Sequence, residues 1–317
     1  MYIGGPTSLL GHSPHYCARG THDTEEKEHE GMNSTPWEAN LRYTTIPNGQ
    51  IRYLRSGSGR PVVLLHTLRT QLDYFFTLLR ELDQGFDLLV PDLPGHGHSS
   101  APAVEYTAEY FTNSIEQFLD SCDLKDAVLV GESIGASIAL GLAARQNPRI
   151  TRVVALNPYD YGHWGGIRRS SVLANVLFTL VLVPVLGSIL ARVSIKGLFR
   201  LIMQGGLHDP RKLPPELVDE MLRCGMLPGH ARAFRSLCLH WKSWIDARAQ
   251  YSAIRLPVTL IYGQYDWSRQ EEREANAQVI SHAHSQVLKD CGHFTSLEEP
   301  QQVAQIIREA VESAGHI

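Results

Sequence analysis

Ala127-Val128-Leu129-Val130-Gly131-Glu132-Ser133-Ile134-Gly135-Ala136 decides the reading of this chain. Four apolar residues in a row, with no polar alternation, mark a strand buried on both faces. From Ala136 a helical pattern runs to Asn147 and stops before Pro148, because the residue preceding a proline is pushed out of the helical region. Strand therefore passes into helix across Gly131-Glu132-Ser133-Ile134-Gly135. G-x-S-x-G alone is common by chance; between a buried strand and a helix it is specific. A serine on so sharp a turn needs small neighbours two residues to either side, and the turn projects its hydroxyl out of the sheet. The helix N-terminus beneath offers N–H groups and positive potential to an oxyanion. The bland alternative is a glycine-rich turn with an idle serine.

Similar apolar runs recur on either side, at Val62–Leu65, Leu88–Val90, Val153–Leu156 and Val258–Ile261. The last segment opens with Pro300 and places Val303, Ile306, Ile307, Ala310 and Val311 on one helical face. Such alternation predicts a mostly parallel sheet covered by helices on both sides. Arg42–Thr45 and Gln50–Arg55, joined across Pro47-Asn48-Gly49, read as an antiparallel hairpin at one edge.

The alternation breaks over 159–250, which is helical in pattern and expected to form a cap. The core is then 37–158 together with 251–317. Within the cap Val172–Leu190 approaches the roughly 20 residues needed to cross a bilayer. Asn175, Thr179, Pro184, Gly187 and Ser188 interrupt it, so a cap is the expectation, with contact at a membrane surface the residual alternative. Residues 1–36, rich in Gly, Ser, Thr, His and Glu without apolar periodicity, read as a disordered leader. The histidines of that leader have no metal-binding spacing.

Composition narrows the function. The chain has 317 residues, 43% hydrophobic and 20% charged, with a formal net charge of −4. That leaves ample core and no basic field for nucleic acid, which is excluded as a partner. The five cysteines are odd in number, widely spaced and without a C-x-x-C pair, so free thiols are expected and a zinc site is not. With no basic, apolar secretory leader at the N-terminus, a cytoplasmic location is the default expectation.

A serine hydroxyl is a weak nucleophile and needs a base. His293, in Cys291-Gly292-His293-Phe294, follows the last expected strand (Gln286–Lys289) and precedes the final helix. It thus falls at the carboxyl edge of the sheet, where sites on such folds form. Asp266 lies just past the strand Val258–Tyr262, where a carboxylate would hold the imidazole tautomer and stabilise the imidazolium. Asp160, after the strand that follows the serine, is a second candidate acid. Any one of these alone could be a polar group on the surface; three at strand ends, in the order Ser…Asp…His, are harder to dismiss.

From Arg42 to Ser313 the chain resembles the α/β-hydrolase superfamily, close to its lid-bearing esterases, C–C hydrolases and epoxide hydrolases. Asp92-Leu93-Pro94-Gly95-His96-Gly97-His98-Ser99 is similar to that branch's D-x-P-G-x-G-x-S loop, which makes His96 and His98 parts of a structural turn. The resemblance implies a mostly parallel eight-stranded sheet with a helical cap after Asn157-Pro158. It favours Asp266 over Asp160 as the acid. A serine at the elbow, where epoxide hydrolases and haloalkane dehalogenases carry aspartate, implies an acyl-enzyme. By position the oxyanion hole falls on the N–H groups of Leu68 and Ile134. One departure stands out: His66-Thr67 replaces the family's usual His-Gly, and Thr67 cannot adopt glycine-only angles cheaply. Arg69 beside it is expected to brace the loop, with a substrate clamp as the alternative reading.

The expected function is that of a serine hydrolase cleaving a carboxylic ester, or a related carbonyl, of a small apolar substrate. No cofactor and no metal is implied. C–C hydrolysis or acyl transfer on the same side chains, and a slow ligand-binding protein on a hydrolase scaffold, are the rival readings. Nothing in the sequence indicates the oligomeric state.

Overall fold

Strand β5, Ala127–Glu132, sits near the middle of an eight-stranded sheet, and every one of its residues is buried. The structure, a computed structural model, describes Met1 and residues 37–82, 85–161, 165–193 and 195–313. The expected leader, Met1 aside, lies outside the described residues.

Around β5 stand β1 (Leu41–Ile46), β2 (Gly49–Gly57), β3 (Arg60–Leu65), β4 (Phe86–Pro91), β6 (Ile150–Leu156), β7 (Val258–Gly263) and β8 (His284–Leu288). They follow the order β1-β2-β4-β3-β5-β6-β7-β8. β1 pairs antiparallel with β2, and β2 with β4; all other pairs are parallel. This is the α/β-hydrolase sheet, with the hairpin at the expected edge. The last strand begins two residues before the expected Gln286, at His284. Its residues are largely exposed, as an edge strand allows, so the apolar pattern that marks the central strands is weak there.

The uninterrupted apolar runs are explained by layers on both faces. Successive side chains of a strand point to opposite sides. Val63 and Leu65 of β3 join one buried cluster with Phe111 and Ile115 of α2 (Ala108–Ser121) and Ile138 and Leu142 of the helix after β5. Val62 and Leu64 join the opposite cluster with Leu78 of α1 (Phe76–Glu81) and with Val303 and Ile307 of the C-terminal helix. The helix after β5 spans Ile134–Ala144 and is numbered α3 after α1 and α2. It begins directly on the elbow and ends three residues before the expected Asn147, whose side chain instead binds Glu116 at 2.9 Å.

Between β6 and β7 the chain forms α4 (Val172–Leu182), α5 (Leu186–Leu190), α6 (Lys196–Gln204), α7 (Pro215–Gly225), α8 (His230–Leu239) and α9 (Lys242–Ala247). The apolar stretch Val172–Leu190 is cut at Val183-Pro184-Val185, where Val185 takes a φ of 61° and starts α5. Among the described residues no helix is long and apolar enough to cross a membrane. Val172, Val176, Val185, Ile189 and Ile195 nonetheless face outward. After β7 follow α10 (Gln270–Val279), α11 (Thr295–Glu298) and α12 (Pro300–Ser313). Cys122, Cys224, Cys238 and Cys291 are free thiols, as the spacing implied.

Candidate active site

At the end of β5 the backbone of Ser133 turns through φ 57° and ψ −116°, a conformation disfavoured for any residue with a side chain. The glycines at either side make the turn possible. A Cβ on Gly131 would lie 2.2 Å from the Gly135 carbonyl oxygen, and one on Gly135 2.0 Å from that of Leu65. The elbow is thereby pressed against the end of β3, next to the loop that begins at His66.

Ser133 Oγ lies 2.9 Å from His293 Nε2, and His293 Nδ1 lies 2.5 Å from Asp266 Oδ1. All three side chains are buried. Burial alone would raise the Asp266 carboxyl, but the His293 imidazole and hydrogen bonds from Ser268 outweigh it and hold it below the usual carboxylate range. An ionised carboxylate accepts only, so Nδ1 carries the proton and Nε2 is left to accept from the serine hydroxyl. The second oxygen, Asp266 Oδ2, receives the Ser268 amide at 3.0 Å, the Ser268 hydroxyl, and the Tyr161 hydroxyl at 3.2 Å.

The imidazole is boxed in. Trp267 stacks on it with centroids 3.9 Å apart, and the backbone N–H of His293 donates to the Gly206 carbonyl at 2.6 Å. Asn157 ties the strand ends together: its Nδ2 donates to the His293 carbonyl and its Oδ1 accepts from Gly263 N–H, both at 2.8 Å. Glu132, inside the elbow and wholly buried, accepts from Tyr74 Oη at 2.8 Å and from Thr295 Oγ1 at 2.6 Å. Burial pushes its carboxyl up, and these donors pull it back only in part. The elbow and the histidine loop thus share a carboxyl.

The loop after β3 differs from the sequence-based expectation. Thr67 is not left-handed; the positive φ, 61°, falls on Arg69. The Thr67 carbonyl accepts from His66 Nδ1 and Thr70 Oγ1, both at 2.9 Å, and this turn absorbs the strain two residues later than expected. His66 Nε2 accepts from Leu93 N–H at 2.9 Å, so His66 is neutral, and burial lowers its pKa to about 4. Leu68 and Ile134 line one cavity with Ser133, of about 170 Å³. Arg69, expected to brace the loop, lies on the same wall.

Asp160 is not brought to the site. It is buried, and both of its oxygens accept from Asn276 Nδ2, at 3.0 and 3.1 Å. His96 and His98 sit in the turn the sequence suggested, where Asp92 accepts from His98 N–H and Leu72 N–H, both at 2.8 Å. Asn157, Glu132 and Trp267 were not foreseen. Only the placement of Asn157 at a strand end offered a signal.

With this geometry in hand the chain can be placed by its fold, which is that of the α/β hydrolases. Residues 60–175 match the family described as the alpha/beta hydrolase fold. A 2-hydroxymuconate semialdehyde hydrolase of Pseudomonas sp. (strain CF600) is 24% identical over 262 residues, which cover 80% of this chain and 87% of that one. Among solved structures, a meta-cleavage product hydrolase from Pseudomonas fluorescens IP01 superposes with a TM-score of 0.71 at 18% identity, over 87% of this chain and 99% of that one. A carboxylesterase from Bacillus subtilis does so with a TM-score of 0.68 at 18% identity, over 86% and 90%. At such identities these structures speak for the fold alone.

Proposed function

We propose that the protein is a serine hydrolase of carboxylic esters, acting through an acyl-enzyme. The observation that carries the reading is the hydrogen-bonded line from Ser133 Oγ through His293 to Asp266, at 2.9 and 2.5 Å. Ser133 attacks the ester carbonyl while His293 Nε2 takes its proton. The negative charge on the carbonyl oxygen rests on the N–H groups of Leu68 and Ile134. His293 then protonates the leaving alcohol, and a water deprotonated by the same imidazole releases the acid. Asp266 holds the tautomer and stabilises the imidazolium. The helices between β6 and β7 act as a cap, and the apolar side chains that they contribute, such as Leu177, Phe178, Val181 and Leu190, take up the acyl chain or ring.

The test is a panel of short- and long-chain aryl esters with labelling by a fluorophosphonate probe. The wild type is expected to turn over at least one ester and to be labelled once, on the peptide containing Ser133. Ser133→Ala abolishes both, and Asp266→Asn lowers kcat by about 10⁴ with the fold intact, as expected when the wrong tautomer is favoured. Labelling that survives Ser133→Ala puts the nucleophile elsewhere. Cleavage of vinylogous diketones in preference to every ester assigns the same residues to C–C hydrolysis instead.

A further inference from the structure

Among the described residues, Arg69 is the one cation on the cavity wall that meets no acceptor. Arg52, Arg55, Arg145, Arg149 and Arg169 each face a carboxylate. Arg168, also on the cavity wall, donates to Asn175 and Thr179. Among the described residues, no hydrogen bond or ion pair reaches the Arg69 guanidinium. It lies beside two rings, with its central carbon 4.5 Å from the centroid of Phe234 and 5.4 Å from that of Phe199, and close to Gly225, where an added Cβ would come within 3.3 Å of Nη2.

The rings engage the guanidinium electrostatically and offer no acceptor to its five N–H groups. Gln71, wholly buried, lines a small second cavity that Arg69 also borders, yet its amide oxygen is not bonded to the guanidinium either. Burial lowers the arginine's pKa, but a guanidinium does not give up its proton in a protein. The guanidinium is half-buried at the cavity wall and has no acceptor among the described residues, so a ligand entering the cavity can supply the partner. Water filling the small cavity would satisfy Gln71 but would not neutralise Arg69.

We infer that the substrate carries a carboxylate, which Arg69 engages while Ser133 attacks the ester carbonyl of the same molecule. This rests on the serine-hydrolase reading and narrows it to half-esters and other carboxylate-bearing esters. The planar fork of arginine matches a carboxylate through two parallel hydrogen bonds, a fit that a lysine would not reproduce. The apolar wall between the two groups suits a methylene chain or ring. The chemistry balances as simple hydrolysis: ester and water give an acid and an alcohol, and the recognised carboxylate is unchanged.

The test compares aryl monoesters of suberic and sebacic acids with aryl esters of fatty acids of the same chain length. The wild type is expected to favour the carboxylated ester in kcat/KM. Arg69→Met is expected to lower the ratio of carboxylated to neutral kcat/KM by about 30-fold or more, and Arg69→Lys to restore part of it. Melting curves establish that each variant is folded. A ratio that stays the same in a folded Arg69→Met protein overturns the inference.

Binding without turnover separates this inference from the hydrolase reading. The Ser133→Ala protein is titrated calorimetrically with monomethyl suberate and with dimethyl suberate. Tighter binding of the monoester that vanishes on adding Arg69→Met upholds the anion site even if no ester is hydrolysed. Equal binding of the two, with Arg69 present, overturns it even if esters are turned over.

Discussion

Ser133 holds a torsion that costs a residue with a side chain of the order of 1–3 kcal/mol, and the two flanking glycines let the fold bear it. A second residue with a side chain at positive φ, Arg69, lines the same cavity from the neighbouring loop. The strain there is organised by the Thr67 carbonyl, so the Thr67 side chain is dispensable to the turn. Thr67→Gly is therefore expected to leave kcat within about threefold and to cost about 1 kcal/mol of stability through added backbone freedom. Steady-state kinetics and thermal melts measure both. A hundredfold fall in kcat, the size of effect that follows loss of an oxyanion donor, would assign that role to the Thr67 hydroxyl instead. Ser133, Asp266 and His293 were legible because each carries a local sign, an elbow or a strand end. Asn157 shares the sign of a strand end, but its role did not show, since its two partners lie 136 and 106 residues away along the chain. Glu132 occupies a position in G-x-S-x-G that admits any residue, and nothing in the motif speaks of Tyr74 or Thr295. The two rings that Arg69 meets, Phe199 and Phe234, could not be foreseen, because they come from helices far along the chain.

At the scale of elements, apolar run length told strand from helix correctly through the sheet, where burial on both faces suppresses any alternation. It served less well for Val172–Leu190. That stretch has the length and greasiness of a spanning helix, but Pro184 and the left-handed Val185 divide it into α4 and α5. Phe178 of α4 lines the cavity and meets Phe234 of α8 edge-on, with centroids 5.9 Å apart. Replacing it by asparagine exchanges an apolar wall for a polar amide. Phe178→Asn is expected to raise KM for long-chain aryl esters by about tenfold, in line with the loss of one or two buried methylene contacts and more. KM for the acetate ester should stay within about twofold, because an acetyl group has little chain to lay against an apolar wall. Equal increases for both chain lengths would show that the substitution disturbs the elbow and not the acyl pocket.

At the scale of the whole molecule, buried ionisable groups set opposing responses to acid. His66 and His96 titrate near 4 and 3 in the folded chain, below the unfolded value of about 6.5. Between those limits the unfolded chain binds more protons, so both histidines make stability fall as pH falls. Asp73 and Asp160, raised by burial to about 6, do the reverse, because there the folded chain holds the extra proton. The two pairs offset each other between about pH 4 and 6. Asp160→Asn removes one carboxyl while keeping its shape, and is expected to steepen the loss of stability on acidification by about 1.4 kcal/mol per pH unit in that window. Chemical denaturation at a series of pH values reads the slope; an unchanged slope would mean that Asp160 is ionised throughout. The connectivity carries one last consequence. The helical insertion leaves from the end of β6 and returns into β7, which are hydrogen-bonded neighbours in the sheet from Val153–Val258 to Leu156–Ile261. Because the two strands are parallel, the insertion leaves at the carboxyl edge of the sheet and returns at the amino edge. In evolutionary terms it is therefore an exchangeable module only together with the crossover that carries the chain back. Several fastenings limit the exchange, among them the Arg169–Glu272 ion pair. Nearest the site, the carbonyls of Gly205 and Gly206 accept from Trp267 Nε1 and His293 N–H at 3.3 and 2.6 Å. A new roof can bring new tastes in substrate, provided it supplies two carbonyls at that spot.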